Sequence, residues 1–517
     1  MEESPAVNRR QSTPNCYNAG DSQLLHCRRV DAIVPAEPHP MKISRRSMIA
    51  GVSTAAFALP FHSLFGRRAH AGTFGPLIPD PAGILDLPSG FRYRILDTRG
   101  DPMDDGYRVG GRPDAMGCFT GATPGTFVLL RNHEVGRNDR DNSPLGPDQD
   151  PPPEAYDVRG GGSVTRVVLD ANTLERISSN VVLGGTYTNC AGGISPWGWL
   201  SCEESTSSDH GYVFLCRPDA DRIEPPRLVS GYGRFKHEAA AVDPTTRIAY
   251  LTEDQGDSCF YRFVPTAPAE PFDGVLQAMR VIDSPQFDTG SGMQVGDSLA
   301  IDWVEIADPT PSSDTVRQQA QDQGAAIVRR GEGLWLDEGS AFVCSTSGGP
   351  RGAGQIFRLD PAGDTGTLTL IAQSEDTSVL DSPDNITVAP WGDIYMAEDG
   401  GGTDYVRILH PDGTISDFAR NALSGSEFAG VCFSPDGKAL FVNMQADHLT
   451  LIINGPFPDN PRPLPPPPEE PPDLPPVDQI GCNASGAEGL GNAALLTAAT
   501  IGATVLGRRS PSGDPGE

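Results

Sequence analysis

The sequence predicts an all-β fold, a six-bladed β-propeller. Three observations carry this: a composition rich in turn formers, a β-hairpin module that recurs through the middle of the chain, and about 380 residues between two atypical ends, room for six blades. Of 517 residues, 59 are Gly and 49 are Pro, more than helix-rich proteins use. Hydrophobic residues make up 38% and charged residues 21%, so the chain can bury a core and is not a disordered polyelectrolyte. The formal net charge of −29 argues against a nucleic-acid partner, which requires a basic face.

Taken in chain order, residues 1–71 stand outside the fold. Ser44-Arg45-Arg46, an apolar run from Met48 to Leu59 and the closing Ala69-His70-Ala71 give the charged, hydrophobic and cleavage regions of an export leader. The arginine pair resembles a twin-arginine (Tat) signal. Met41 is then the expected start, residues 1–40 a polar extension, and the mature chain begins near Gly72.

The next region, residues 72–455, repeats itself. Four segments begin at His237-Glu238, Gly331-Glu332, Pro383-Asp384 and Glu427-Phe428. Each has an acidic residue, a short apolar strand, a tight Asp/Pro/Gly turn and a second apolar strand, which is a β-hairpin. The acids are 94, 52 and 43 residues apart. The last two spacings match single blades, and the first leaves room for a blade with insertions. In a propeller the innermost strands line one channel. Glu238, Glu332, Asp384 and Glu427 are therefore expected at one mouth, where mutual repulsion calls for bound cations and oxygen donors favour Ca²⁺. Taken singly, each acid could equally cap a turn in solvent.

Residues 456–480 form a Pro-rich linker. Twelve of the 21 residues from Pro456 to Pro476 are proline, which predicts a stiff spacer. Residues 481–517 hold Cys482, an uncharged run from Gly489 to Gly507, and Arg508-Arg509. This is expected to be a sorting or anchor segment that attaches the protein to a membrane or surface. The domain itself is expected to be exported by the Tat route, to lie in the periplasm or on the outer surface, and to be monomeric. Seven cysteines remain between the ends, an odd number that leaves at least one outside any internal disulfide.

Three further segments carry chemistry: Arg131-Asn132-His133-Glu134, the stretch from Asn189-Cys190 to Cys202-Glu203-Glu204, and Arg234-Phe235-Lys236-His237-Glu238. Together with PDNITV at 383–388, the Glu253-Asp254 and Glu398-Asp399 pairs and EFAGVCFSPDG at 427–437, they resemble the PhoX-type alkaline phosphatase family, in order and across about Gly75 to Pro456. The resemblance implies a six-bladed propeller whose calcium (Ca²⁺) and ferric iron (Fe³⁺) cluster hydrolyses small-molecule phosphate esters. It implies Cys190 as an iron ligand and Glu204 as a metal-bridging acid. Glu203 is either a further ligand or the group that orients Glu204. Glu238, Glu332 and Asp384 follow as ligands, then Glu134, Asp254 and Glu398. Read from the residues alone, Cys190 is also compatible with a buried apolar role or a disulfide to Cys202.

Arg131, Arg234 and Lys236 are the basic candidates for holding phosphate, and Asn132 and Asn189 the candidate hydrogen-bond donors. The turn from Trp197 to Cys202 is one residue shorter than the family form. No serine nucleophile elbow or P-loop lysine occurs. Two other classes compete: a calcium-dependent lactonase-type hydrolase that uses Asn385 and has no need of Cys190, and a surface-anchored propeller that uses calcium only as a brace.

Overall fold

The computed structural model describes residues 74–147 and 150–474, with 477 and 479 besides. The leader and its twin arginines, Cys16, Cys27, Cys482 and the Gly489–Gly507 run lie outside the described residues.

Nearly all regular structure is antiparallel β. One sheet is a meander of Pro113–Thr120, Thr126–His133, Gly162–Asp170 and Arg176–Thr186. A second contains Asn189–Ser195, Gly198–Glu203 and Val213–Cys216. A third begins Pro383–Val388, Ile394–Glu398, Tyr405–Leu409 and Ile415–Asn421, and is extended by Leu85–Pro88 and Leu77–Ile78. A fourth joins Phe428–Phe433, Ala439–Met444 and Leu449–Asn454 to Arg92–Thr98 from the other end of the chain, so the two ends of the domain are hydrogen-bonded into one sheet. The only described α-helix is the short Val316–Asp322.

The remaining sheet has nine strands. His237–Val242, Ala249–Glu253, Tyr261–Ala267, Glu270–Val281 and Ser298–Glu305 run in order. Ser298–Glu305 then pairs with Thr365–Gln373, and the sheet returns through Gln355–Ala362 and Ser340–Ser345 to Gly331–Asp337. Its two edge strands, His237–Val242 and Gly331–Asp337, lie against each other, so it nearly closes on itself. The expectation of six separate blades is therefore met only in part: four sheets stand alone, and the Ser298–Glu305 ladder fuses two of the repeated hairpins into this one. The arrangement is propeller-like.

Six strands form its inner wall: Pro113–Thr120, Asn189–Ser195, His237–Val242, Gly331–Asp337, Pro383–Val388 and Phe428–Phe433. Each packs on the next, and the last on the first. They are buried almost throughout, and small residues let them approach. A Cβ on Gly193 would lie 1.5 Å from the Ala240 carbonyl, and one on Gly333 2.3 Å from that of Asp384. The apolar core lies between the sheets, in clusters such as Tyr395, Phe418, Phe433 and Leu440.

The Pro-rich stretch has no helix or strand through Leu474, as its composition dictates, yet it is docked on the domain. Phe457 packs against Phe91, Trp391, Phe418 and Phe433. Arg462 pairs with Asp337, Glu469 with Arg247 at 2.9 Å, and the Pro465 carbonyl accepts the Thr120 hydroxyl at 2.6 Å.

Candidate functional site

Five of the six inner strands open in the same way. The first residue pairs with the last residue of the second strand, and the register then slips. Pro113, Asn189, His237, Gly331 and Pro383 pair with His133, Glu203, Glu253, Ser345 and Glu398, and regular pairing resumes at Met116, Gly192, Ala240, Leu334 and Ile386. Such a slip is a β-bulge, which re-aims side chains. The residues entering the bulges are Asp114, Cys190, Glu238, Glu332 and Asp384. In the sixth strand the slip falls between Ala429 and Cys432, which puts Gly430 at the equivalent place. Glu427 thus lies three residues ahead of the phase expected for it.

Just beyond the bulges, Ala115, Ala191, Ala239, Gly333, Gly430 and Val431 line a narrow space at the centre. A second set of residues follows the ends of the second strands: Glu134, Glu204, Asp254, Thr346, Asp399 and Gln445.

Two groups of donors converge: Cys190 with Glu204 and Glu238, and Glu238 with Glu332 and Asp384. Within each group the ligand atoms lie within 4.8 Å of one another. Glu238 belongs to both, so five of the expected metal ligands meet in one cluster. Burial is the first cause that holds the acids above the ordinary carboxylate range, and neighbouring acids add to it. Glu238 is raised further by Asp384 and Glu204, Glu332 by Glu238, and Asp384 by Glu332. Asp114 is pushed up to about 8 by burial and Glu134. Glu427 is pushed up to about 10 by burial and its hydrogen bond with Asp399. Burial and the same carboxylates also push up the Cys190 thiol. Low local dielectric and like charge act together here.

The donor set suits bound cations. Carboxylate oxygens fit a hard ion, and the one thiol fits a transition metal that a hard ion's site would not need. The described cysteines are all free, Cys190 and Cys202 among them. The Cys190 Sγ lies 3.3 Å from the His237 carbonyl.

Other expected residues fall elsewhere. Arg131 is fully buried, paired with Asp97 at 2.6 Å and bonded to Thr450 and Thr165. Asn132 donates to the Cys190 and Ala191 carbonyls and accepts from Trp199 and Ser201. Asn189 is held by Thr186 and Ser201. Arg234 donates to the carbonyls of Pro311, Thr206 and Ser207. These four are committed to internal bonds. Glu203 accepts the backbone N–H groups of Tyr187, Gly211 and Tyr212, and Glu398 is paired with Arg407 and accepts the N–H groups of Asp381 and Tyr405. Neither joins the cluster, because only the second acid of each pair extends past its strand.

At the rim, Lys236 Nζ is 2.6 Å from Glu204; burial opposes its charge, but Glu204 holds its pKa above the ordinary value. Asp254 is forked by Arg330, which also reaches Glu332 at 2.6 Å. Arg112 pairs with Glu134. Arg112 and Arg330 each precede an inner strand with positive φ, 46° and 52°, a strained conformation for a side-chain-bearing residue. The sequence reading missed Asp114, Arg112, Arg330 and Asp399. Two signals were available: Pro113-Asp114 repeats Pro383-Asp384, and Glu398-Asp399 repeats Glu253-Asp254.

A family model described as alkaline phosphatase PhoX matches residues 72–447. The chain belongs to the PhoX alkaline phosphatase family. Among solved structures, Pseudomonas fluorescens PhoX in complex with vanadate, a transition-state analogue, is 20% identical with a TM-score of 0.56, covering 72% of this PhoX-family chain and 96% of that one. The Xanthomonas campestris gluconolactonase XC5397 is 15% identical with a TM-score of 0.39, covering 75% of this chain and 99% of its own. No curated protein matches the sequence.

Proposed function

We propose that this PhoX-family chain is a metal-dependent phosphatase that hydrolyses small-molecule phosphate esters at the cluster of Cys190, Glu204, Glu238, Glu332 and Asp384. The observation that carries the reading is the pair of donor groups sharing Glu238. In this reading each of the six inner strands heads one blade of a six-bladed propeller. Glu332 and Asp384 with Glu238 would hold Ca²⁺, and Cys190 with Glu204 and Glu238 would hold iron. Bound there, such cations supply Lewis acidity: they draw charge from phosphoryl oxygens and make water a better nucleophile at neutral pH.

The chain's own residues supply binding and orientation. Arg330 uses Nε and Nη2 on Asp254 and Glu332, and among the described residues its Nη1 makes no hydrogen bond. Its side chain is 38% exposed. A guanidinium fixed in this way presents a rigid cationic donor to a phosphate oxygen. Lys236, held by Glu204, adds a second positive charge beside the thiol. The mechanism thus relies on positioning and electrostatic stabilisation, the two things phosphoryl transfer demands. We further propose that the Arg45-Arg46 leader exports the domain through the Tat route and that the C-terminal segment attaches it to a membrane or outer surface.

The test is elemental analysis of the exported protein beside a phosphomonoester assay with and without calcium chelation. Bound calcium and iron with chelation-sensitive hydrolysis support the reading. Bound calcium without phosphoester hydrolysis would replace it with a binding module, and lactone hydrolysis alone would replace it with a lactonase.

A further inference from the structure

We propose that His210 is a positioning residue for the thiol side of the cluster, locking the chain segments that present Cys190 and Glu204. This rests on Cys190 being a metal donor. His210 lies outside the cluster and is 1% exposed. Its Nδ1 is 2.7 Å from Glu203 Oε1 and its Nε2 is 3.4 Å from Asp157 Oδ2. Its ring stacks on Tyr187, with centroids 3.6 Å apart and planes at 8°. Tyr187 closes the circuit by donating its hydroxyl to Asp157 at 2.7 Å and its backbone N–H to Glu203 at 2.9 Å. One imidazole therefore bridges two buried carboxylates that hold the same tyrosine.

On one side the circuit's Glu203 stands one residue before Glu204, and on the other its Tyr187 stands three residues before Cys190. Thr188 and Glu204, the next residues, pair with each other: Glu204 N–H donates to the Thr188 carbonyl at 3.0 Å, and the Thr188 hydroxyl to the Glu204 carbonyl at 2.8 Å. Thr188 sits at φ 43°, a strained backbone that persists only when its surroundings over-determine it. Two residues further, Cys190 enters its bulge. Displacing Tyr187 or Glu203 would thus move the thiol and the Glu204 carboxylate relative to each other. The other acidic pairs use the same device with arginine: Arg317 lies 3.3 Å from Glu253, and Arg407 2.9 Å from Glu398. His210 is the counterpart beside the thiol.

The full exported chain, stripped by chelation and titrated with Co²⁺, reads this directly through the thiolate-to-cobalt charge-transfer band. His210→Ala is expected to weaken the band-forming affinity by about tenfold or more, the scale of lost outer-sphere support. His210→Asn, which can still donate toward Glu203, should recover much of it and serves as the readout should the alanine variant fail to fold. Glu203→Gln combined with His210→Ala should cost no more than either alone, because the two act as one unit. Glu398→Gln, which loosens the acidic pair beside Asp384, outside the thiol group, should lower the melting temperature and leave the band in place. In turnover, His210→Ala should lower kcat with KM little changed. A His210→Ala band within twofold of wild type, or an equal loss in Glu398→Gln, would overturn the proposal. A wild-type chain with no thiolate band would overturn the Cys190 donor reading, and this proposal with it.

Discussion

Glu238 is the single carboxylate common to both donor groups, and its removal should have opposite effects on activity and on metal-free stability. In Glu238→Gln the shape is kept and one charge is lost from both groups. A single preorganised electrostatic contact is worth on the order of 10²–10³ in turnover, so a shared one belongs at the upper end of that range. Stability moves the other way. Two unit charges at the 4.8 Å limit of each group repel by about 3.5 kcal/mol at an effective dielectric near 20. Glu238 faces Glu332 and Asp384 in one group and Glu204 in the other. Relieving even one such repulsion should raise the metal-free melting temperature by a few degrees at alkaline pH.

The sign of the pH dependence follows from the raised values. Glu238, Glu332, Asp384 and Asp114 bind protons more tightly folded than unfolded. Their contribution is fully present below the unfolded carboxylate range, near pH 4, and is lost as pH rises through the folded values, which for Asp114 is about 8. The metal-free wild type should therefore lose melting temperature from pH 6 to 9. Added Ca²⁺ should flatten the curve, and so, in part, should Glu238→Gln. The assay is calorimetric melting of chelated and calcium-loaded protein across that range, beside phosphatase kinetics. A Glu238→Gln protein that keeps its turnover, or that melts below wild type when metal-free at pH 9, would refute the reasoning.

Other outcomes follow from the same geometry. Arg330→Lys should raise KM by about tenfold or more, because an ammonium cannot fork Asp254 and still present a second donor; unchanged kinetics would remove Arg330 from phosphate binding. Cys190→Ser should lose iron and activity together while retaining calcium, as measured by elemental analysis. Calcium loading at pH 7 should release protons, seen as a dependence of the calorimetric heat on buffer ionisation enthalpy; no dependence would show that the cluster was already ionised. Phe457→Ala should lower the melting temperature without changing kcat, since the Pro-rich stretch is docked away from the cluster residues; an equal loss of turnover would contradict that separation.

The hairpins, their strand ends and the convergence of Glu238, Glu332 and Asp384 were legible because hydrophobic alternation and turn residues are local signals. The fusion of two hairpins through Ser298–Glu305 and Thr365–Gln373 was not, because that pairing joins strands some sixty residues apart without a turn signature. Arg131 was misread for a related reason. Its partner Asp97 belongs to the Arg92–Thr98 strand, which reaches the sheet only when the two ends of the domain meet. Glu203 and Glu398 were ligand candidates through the family resemblance, Glu203 with the alternative of orienting Glu204, and a resemblance does not say which acid of a pair leaves the strand. The bulges are invisible to a strict two-residue alternation, and they are what turn Asp114 and Cys190 toward the centre.

Charge balance explains why such a site both folds and demands a partner. In Glu203-Glu204, Glu253-Asp254 and Glu398-Asp399 the first acid is paired away from the cluster, with His210 of the following loop, Arg317 of the helix and Arg407 of the neighbouring strand respectively. That leaves the second acids free to face the bulge residues. At the mouth the paired cations are Arg112, Lys236 and Arg330. Against them stand Asp114, Glu134, Glu204, Glu238, Asp254, Glu332, Asp384, Asp399 and Glu427. The described side chains cannot balance this excess, so protons or metal cations must. Without metal, burial and mutual repulsion hold protons on the buried carboxylates and keep them above the ordinary range. Those protons are a poor final state for a site whose family acts on phosphate, since a ring of neutral acids offers an anion little attraction. Exchanging protons for multivalent cations turns the same carboxylates into a cradle for positive charge, with Arg330 and Lys236 fixed at its edge. The raised carboxylates and the proposed metal chemistry are thus two states of one charge excess, built by five bulges and three acidic pairs.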